Sequence, residues 1–353
     1  MRFKFILFTV FSLSSLVLIG QDARYSQFYA SPSNLNPTMV GVMPGTLRVS
    51  GIYRSQFGAV SSNPYSTYAA AVETRFLGAK SDQIGLGLQI QNDIQGYAQL
   101  GLLQINASAN YQKMLGTPRF SARSGSSFLV AGVQLGYGQR SINWNRFSTS
   151  AQFNTTAGTY DPTTSTGEAL SASPRSFMDF GAGLMFYSVR GKRNSFYLGA
   201  SAYHLNGPNI GINGTTDKLM ARYNVHGGAE FLLGGVNSRS PFSFLPSGLV
   251  MIQGPSLETT LNTAFKYKRN AQSEIAFRFG VAVRGVSNVS SSWGLESFVG
   301  LVGLEVGRTQ FNFSYDANIS SLSPVTNGRG AFEASIIYTN AGNRKRYNGC
   351  PTF

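Results

Sequence analysis

The stretch LQINASANYQ, residues 103–112, alternates strictly between apolar and polar side chains. Successive side chains of a β-strand point to opposite sides, so this period of two predicts a strand with one apolar and one polar face. The apolar set is Leu103, Ile105, Ala107, Ala109 and Tyr111. The polar set is Gln104, Asn106, Ser108, Asn110 and Gln112. Such a strand belongs in a sheet whose two faces meet different surroundings.

The same alternation recurs along the chain, most clearly at 274–284 and 310–318. It also appears near 129–139, 196–203, 257–267 and 332–339. We count about fourteen candidate strands, centred near residues 50, 71, 87, 105, 133, 182, 200, 225, 248, 262, 279, 298, 313 and 335. No stretch after residue 20 approaches the roughly 18 apolar residues of a membrane helix, so we predict an all-β fold.

Three features favour a membrane barrel over a soluble sandwich. The candidate strands are about ten residues or longer, which matches a tilted strand that spans a bilayer. The polar faces carry glycines and charges, as at Gly132, Gly136 and Arg140, which suits a lumen. Tyrosines lie near strand ends, where an interfacial aromatic girdle needs them: Tyr53, Tyr97, Tyr111, Tyr137, Tyr187, Tyr267 and Tyr338. We therefore predict a transmembrane antiparallel β-barrel of about fourteen strands.

The connections between these strands alternate in length. Tight turns are predicted near residue 80 and at 190–194, 269–272 and 307, and long loops near 55–65, 141–175, 206–217 and 320–329. Outer-membrane barrels have short periplasmic turns and long external loops, so both termini are predicted to be periplasmic. Residues 114–125 and 233–242 are exceptions, because they are long on the short-turn side.

The chain divides into four predicted parts. Residues 1–20 have a basic start and an apolar run, which is typical of a cleaved signal peptide, with a retained membrane anchor as the alternative. Residues 21–45 form an irregular periplasmic strap, because Pro32, Pro37, Asn34 and Asn36 interrupt both helix and strand. The barrel occupies 46–340, and 341–353 is a C-terminal periplasmic tail.

The residue inventory argues against catalysis. Cys350 is the single cysteine, and His204 and His226 are the only histidines, so neither a metal site nor a nucleophile beside a histidine is expected, and we predict no enzyme activity and no cofactor. The net charge of +14 is scattered over turns and polar faces, which favours outer-membrane lipid or an acidic protein over nucleic acid. Carboxylates on the polar faces are expected to form ion pairs: Glu258, Glu274 and Asp316 with Lys266, Arg278 or Arg284.

Four stretches together resemble the PorP/SprF family of outer-membrane proteins of the type IX secretion system in Bacteroidota. They are, in order, QDARYSQFYASPSNLNPTMVG (21–41), RVSGIYRSQF (48–57), SAYHLNGPN (201–209) and CPTF (350–353). Two positions depart from the family pattern, Gly207 and Thr352, and neither affects the fold.

The resemblance implies a non-enzymatic role in secretion or surface anchoring of large adhesins, in some members for gliding motility. The implied partners are adhesins with a C-terminal sorting domain, together with ring and translocon proteins of the secretion system. The strap also holds apolar side chains that must be buried across the periplasmic mouth or in a partner. We therefore predict partner docking by Tyr25, Gln27, Phe28, Tyr29, Asn34, Asn36 and Pro37. A porin or a channel for hydrophobic solutes would use the same architecture and stays the alternative.

Overall fold

A computed structural model describes residues 22–58, 60–77, 82–116, 125–161, 163–167, 173–190, 194–212, 214–234, 240–269, 273–287 and 293–340. The predicted signal peptide and C-terminal tail lie outside these ranges. Within the described residues, no helix is long and apolar enough to cross a membrane.

Fourteen antiparallel strands close into one barrel, in which the first strand pairs with the last. The barrel strands are β1 Leu47–Gln56, β2 Tyr65–Leu77, β3 Gln83–Gln95, β4 Leu100–Leu115, β5 Ser126–Ser141, β8 Arg175–Arg190, β9 Asn194–Tyr203, β10 Arg222–Leu232, β11 Phe242–Gln253, β12 Ser256–Tyr267, β13 Ile275–Ser287, β14 Trp293–Val306, β15 Thr309–Asn318 and β16 Arg329–Asn340. A small hairpin of β6 Phe153–Asn154 and β7 Thr159–Tyr160 lies in the connection between β5 and β8. The prediction of an antiparallel barrel is confirmed, and each predicted strand centre falls within a strand.

The alternation in the sequence sorts side chains between the two sides of the wall. Ile105 and Tyr111 of β4 point outward and are exposed, while Gln104 and Ser108 point inward and are buried. Phe277 of β13 is likewise an exposed outward residue. The outer face is therefore an apolar belt, and the inner face is lined largely by amides, hydroxyls and charges.

The two ends of the barrel differ in their connections. We call the end where β1 begins and β16 ends the terminal end, and the opposite end the loop end. The terminal-end connections between strands are 78–82, 116–125, 191–193, 233–241, 268–274 and 307–308. The loop-end connections are 57–64, 96–99, 142–174, 204–221, 254–255, 288–292 and 319–328. The longest connections thus lie at the loop end, and the two exceptions foreseen at the terminal end are present.

Candidate functional site

The lumen contains residues 22–45, which we call the N-terminal segment. Asp22 contacts His204, Arg222 and Gln253, which all lie at the loop ends of their strands. At the other end of the segment, the backbone N–H of Thr46 donates to the carbonyl of Asn340, the last residue of β16. The segment therefore crosses the lumen from the loop end to the terminal end.

Short helical turns give the segment its compact shape. They span Phe28–Ala30, Pro32–Leu35 and Pro37–Met39. Pro32 and Pro37 each start a turn, a position that suits proline because its fixed φ is helical and no N–H is needed there. The segment, which the sequence predicted as a periplasmic strap, lies inside the lumen, where its residues form these short turns.

Ion pairs hold the loop-end half of the segment. Arg24 donates to Glu258 at 2.9 Å, and the backbone N–H groups of Ser26 and Gln27 donate to the two carboxylate oxygens of Glu333 at 2.6 and 2.8 Å. A carboxylate that accepts two main-chain donors and is also ion-paired has its lone pairs well satisfied, which offsets the cost of burying its charge.

A buried charge cluster surrounds Ser26. Its hydroxyl bonds to Asp316 at 2.8 Å and accepts from Arg54 at 3.1 Å and from Arg284 at 2.9 Å. Arg54 also pairs with Asp316 and with Glu333, and Arg284 pairs with Asp316. Removing one member of such a cluster leaves an uncompensated buried charge, which costs about 3–5 kcal/mol in comparable cases.

The middle of the segment is fixed by Asn36. Its side-chain amide donates to the carbonyls of Leu184 and Ala200 at 3.3 and 3.1 Å, while its side-chain oxygen accepts from the N–H of Thr38 at 3.0 Å. Room for this amide exists because the wall has glycine beneath it: a Cβ at Gly183 would lie 2.1 Å from the Asn36 oxygen. The glycine on this inner face is therefore required by the close approach of the segment.

Apolar packing holds the rest of the segment. Its apolar side chains join buried residues of the wall in one cluster, which includes Tyr25, Phe28, Tyr29, Leu35, Met39 and Val42 with Phe128, Val130, Met185, Tyr187, Tyr197 and Leu249. Phe128 and Tyr187 stack with ring centroids 4.8 Å apart. Each fully buried side chain of this size contributes about 1.5–3 kcal/mol relative to exposure. The hydrophobic core of the protein is thus in the lumen, between the segment and the wall.

The structure brings all seven predicted docking residues together inside the lumen. Six are buried, and Asn34 is partly buried. Several of them contact the wall: the Tyr25 hydroxyl donates to Gln91 at 3.1 Å, and the Arg278 guanidinium lies 5.4 Å from the Tyr29 ring centroid. The carbonyl oxygens of Asn34 and Pro37 accept from Arg222 and Asn110 at 2.8 and 3.1 Å.

The expected ion pairs among wall carboxylates are partly present. Asp316 pairs with Arg284 as predicted. Glu258 pairs with Arg24 of the segment instead, and Lys266 pairs with Glu305. Glu274 lies exposed just before β13. The alternation correctly identified the inward positions of Glu258 and Asp316 but not the exposed position of Glu274, and the segment was not foreseen as the source of a partner.

The SAYHLNGPN stretch connects the wall to the segment, a role that sequence reasoning missed. The Ser201 hydroxyl donates to the carbonyl of Leu35 at 2.7 Å, and the Tyr203 hydroxyl donates to that of Ser33 at 2.8 Å. His204 lies between the carboxylates of Asp22 and Asp179.

His204 is charged at neutral pH because of these two neighbours. Burial by itself would lower the pKa of His204, but the charge of Asp22 and hydrogen bonds to both carboxylates raise it to about 9. Both ring nitrogens contact a carboxylate, at 2.6 and 3.0 Å. The geometry therefore makes His204 an electrostatic bridge between β8 and the segment.

Over the described ranges, no group of three or more His, Cys, Asp or Glu side chains is arranged to hold a metal ion.

Among solved structures, the fold resembles outer-membrane barrels. The monoaromatic hydrocarbon channel CymD is 10% identical with a TM-score of 0.46, covering 91% of this chain and 95% of its own. The P. putida toluene transporter TodX is 10% identical with a TM-score of 0.43, covering 86% and 92%. BamA from Haemophilus ducreyi lacking POTRA domains 1–3 is 8% identical with a TM-score of 0.41, covering 83% and 70%. These likenesses concern the fold alone.

A comparison with curated proteins found no match. A family model described as "Type IX secretion system membrane protein PorP/SprF" matches residues 17–338, which is most of the chain and includes the whole N-terminal segment and nearly all of the barrel. The chain therefore belongs to the PorP/SprF family of type IX secretion system membrane proteins.

Proposed function

We propose that this barrel is a non-enzymatic outer-membrane component of the type IX secretion system that supports secretion or surface anchoring of large adhesins. It does so by docking the C-terminal domains of the adhesins and the periplasmic ring components. The observation that carries the proposal is the N-terminal segment, which crosses the lumen from end to end and is held there by buried ion pairs. A filled lumen favours work at the surfaces of the barrel over conduction through it.

We assign the terminal end to the periplasm and the loop end to the cell surface. The longest connections lie at the loop end, as is usual for external loops. The exposed apolar belt on the outer face would contact outer-membrane lipid. Ring components would then meet the terminal end, and adhesin domains would meet the loop end.

The seven docking residues contribute by holding the segment in place. Because they face the wall, they would fix the shape of the loop end rather than touch a partner directly. The Asp22 carboxylate, which contacts His204 and Arg222, ties the start of the segment to the connection between β9 and β10. A partner that binds the loop end would therefore depend on the segment.

Deletion of residues 24–37 tests this proposal. We expect a heat-modifiable barrel to remain in the outer membrane, because the strands pair with one another around a closed ring, while surface display of the partner adhesin is lost. Val302→Ala, an exposed outward change on β14, is the matched control and should leave display unchanged. Normal adhesin display by the deletion variant would overturn the proposal.

A porin or hydrophobic-solute channel is the second candidate. A fourteen-strand wall encloses a wider lumen than an eight-strand wall, and its inner face is rich in polar side chains such as Gln89, Asn106 and Gln112. Conductance in planar bilayers separates the candidates. A deletion variant that conducts and still displays adhesin would favour the channel.

A further inference from the structure

In the loop-end connection between β9 and β10, the described residues 204–212 and 214–221 fold inward over the lumen, and we call them the mouth loop. Its Ile210 and Leu219 are buried against Phe177 and Leu102 of the inner wall. Arg140 of β5 donates to the carbonyl of Ile210 and pairs with Asp217, both at 3.3 Å. The mouth loop therefore covers the lumen beside β4, β5 and β8.

The mouth loop is a small folded unit. Ile210 N–H donates to the Asp217 carbonyl at 2.8 Å, and Leu219 N–H donates to the Pro208 carbonyl at 2.9 Å. The side-chain oxygen of Asn209 accepts from the N–H groups of Gly211 and Asp217 at 3.0 and 2.9 Å. These bonds join its two arms, so it can move as one body.

The start of the N-terminal segment covers the opposite side of the mouth. Arg24 reaches Glu258 of β12, and Ser26 and Gln27 reach Glu333 of β16. Beneath them lie five buried charges of the wall: Arg54, Arg284, Glu258, Asp316 and Glu333. We call this group of charges the vestibule. The mouth loop and residues 22–27 together close it toward the loop end.

Both flanks of the mouth loop meet at Asp22. One Asp22 carboxylate oxygen lies 2.6 Å from His204 Nε2 and 2.7 Å from a terminal nitrogen of Arg222. His204 is the first residue of the mouth loop, and Arg222, the first residue of β10, directly follows its last residue. Without the carboxylate, the imidazole and the guanidinium lose the acceptor that they share, so nothing at this point joins the two flanks.

The two halves of the segment differ in how they are held. Residues 22–27 rely largely on hydrogen bonds and ion pairs, for which water can supply replacement partners once the mouth opens. Met39, Val40, Val42 and Met43 are fully buried and apolar, and water offers them no such replacement. Opening is therefore expected at the loop end while the terminal half stays in place.

We propose that residues 22–27 and the mouth loop open together as one closure over the charged vestibule, with Asp22 as the side chain that holds both parts. Opening exposes the arginines and carboxylates of the vestibule to the loop end of the barrel. The proposal concerns the motion of this chain and does not rest on its role in adhesin display.

Cysteine accessibility tests the coupling. In a full-length Cys350→Ser background, Thr260→Cys reports on the wall beside Glu258, the partner of Arg24, and Leu102→Cys reports on the wall beneath the mouth loop. Asp22→Asn is expected to raise the rate of modification by a charged thiol reagent at both positions by about tenfold, the scale of losing charge-assisted hydrogen bonds. Ile210→Ser, which changes the mouth loop and leaves residues 22–27 unaltered, is expected to raise the rate at Thr260→Cys as well.

Two controls sharpen the result. Gln112→Cys lies under the terminal half and is expected to stay protected in every variant, and Asp22→Glu, which keeps the carboxylate, should restore much of the protection. The proposal is wrong if Asp22→Asn exposes Thr260→Cys alone or neither reporter, or if Ile210→Ser exposes Leu102→Cys alone. Exposure of Gln112→Cys would also overturn it, because the whole segment would then have left the lumen.

Discussion

At the scale of single residues, Asn36 and Gly183 show how closely the segment fits the wall. A methyl group at position 183 would lie 2.1 Å from the Asn36 side-chain oxygen, so Gly183→Ala has to displace the amide from its bonds with Leu184 and Ala200. We expect Gly183→Ala to destabilise the barrel by about 1–3 kcal/mol. Thermal unfolding in detergent, followed by circular dichroism, measures the loss.

Gly300 on β14 is the matched control for this prediction. Nothing lies within 4 Å of a Cβ built there, so Gly300→Ala should change stability by less than about 0.5 kcal/mol. Asn36→Ala removes the other partner of this clash. We therefore expect Asn36→Ala to destabilise the Gly183→Ala variant less than it destabilises the parent protein. Equal unfolding temperatures for the two glycine variants would contradict the close fit.

His204 predicts a defined pH dependence. Its pKa is raised from 6.5 to about 9 in the folded protein, against the effect of burial, by Asp22 and Asp179. A raised pKa contributes stability that is fully present below pH 6.5 and is lost as the pH rises through about 9. The stability difference between the parent and His204→Asn should therefore be constant below pH 6.5 and shrink toward pH 9. Unfolding temperatures across this range test it, and a difference that grows with pH would reverse the assigned sign.

The sequence identified residues of the segment as important but not their surroundings. Aromatic and amide side chains between prolines indicated an ordered strap that must bury its apolar surface. The wall partners were not predictable, because contacts such as Gln27 with Glu333 join positions 306 apart and depend on which strands face each other across the lumen. Local patterns carry no information of that kind.

At the scale of secondary-structure elements, adjacent residues on β15 provide a test of the two faces. Phe313 points outward with 47% exposure, whereas Asn312 points inward, where it donates to Ser335 at 3.0 Å. Phe313→Arg places a charge on the lipid face at a cost of about 2–4 kcal/mol near the bilayer midplane. We expect it to prevent assembly, while Asn312→Arg still yields barrel.

The heat-modifiable band in outer-membrane fractions measures both variants. The two residues are neighbours in one strand, so a difference between them reports on the face rather than on the strand. Equal tolerance of arginine at positions 312 and 313 would contradict the assignment of faces.

The connections test the orientation of the barrel. An epitope tag within residues 150–167, between β5 and β8, is expected to be accessible to antibody on intact cells, because this connection lies at the loop end. A tag near residue 191, between β8 and β9, should be reached only after the outer membrane is permeabilised. The reverse pattern would place the loop end in the periplasm.

Strands and connections could be predicted well from the sequence because both have a local cause. The alternation of apolar and polar residues determines which face of β4 or β13 is apolar, and the turns between alternating stretches mark where one strand ends and the next begins. The inward fold of residues 204–221 was not foreseen. Ile210 and Leu219 are isolated apolar residues in a polar stretch, and the positions of Phe177 and Leu102 in the folded wall explain their burial.

At the scale of the whole molecule, the N-terminal segment joins the two strands that close the barrel. β1 follows the segment directly in the chain, and β16 receives it through Glu333 and through Ser335, whose hydroxyl donates to the Gln27 side chain at 2.7 Å. Arg54 of β1 and Glu333 of β16 are also cross-strand neighbours that pair with each other. The first described part of the chain thus acts as a clasp on the inner side of the seam.

This clasp sets an order on assembly. Its contacts join residues 306 to 308 positions apart, so they cannot form until β16 has been made and has arrived beside β1. Joining residues so far apart carries an entropic cost, so we expect the pairing of β1 with β16 to form last. Once β1 and β16 have paired, separating them also breaks the contacts of the clasp. The clasp therefore stabilises this seam from the lumenal side against lateral opening into the membrane.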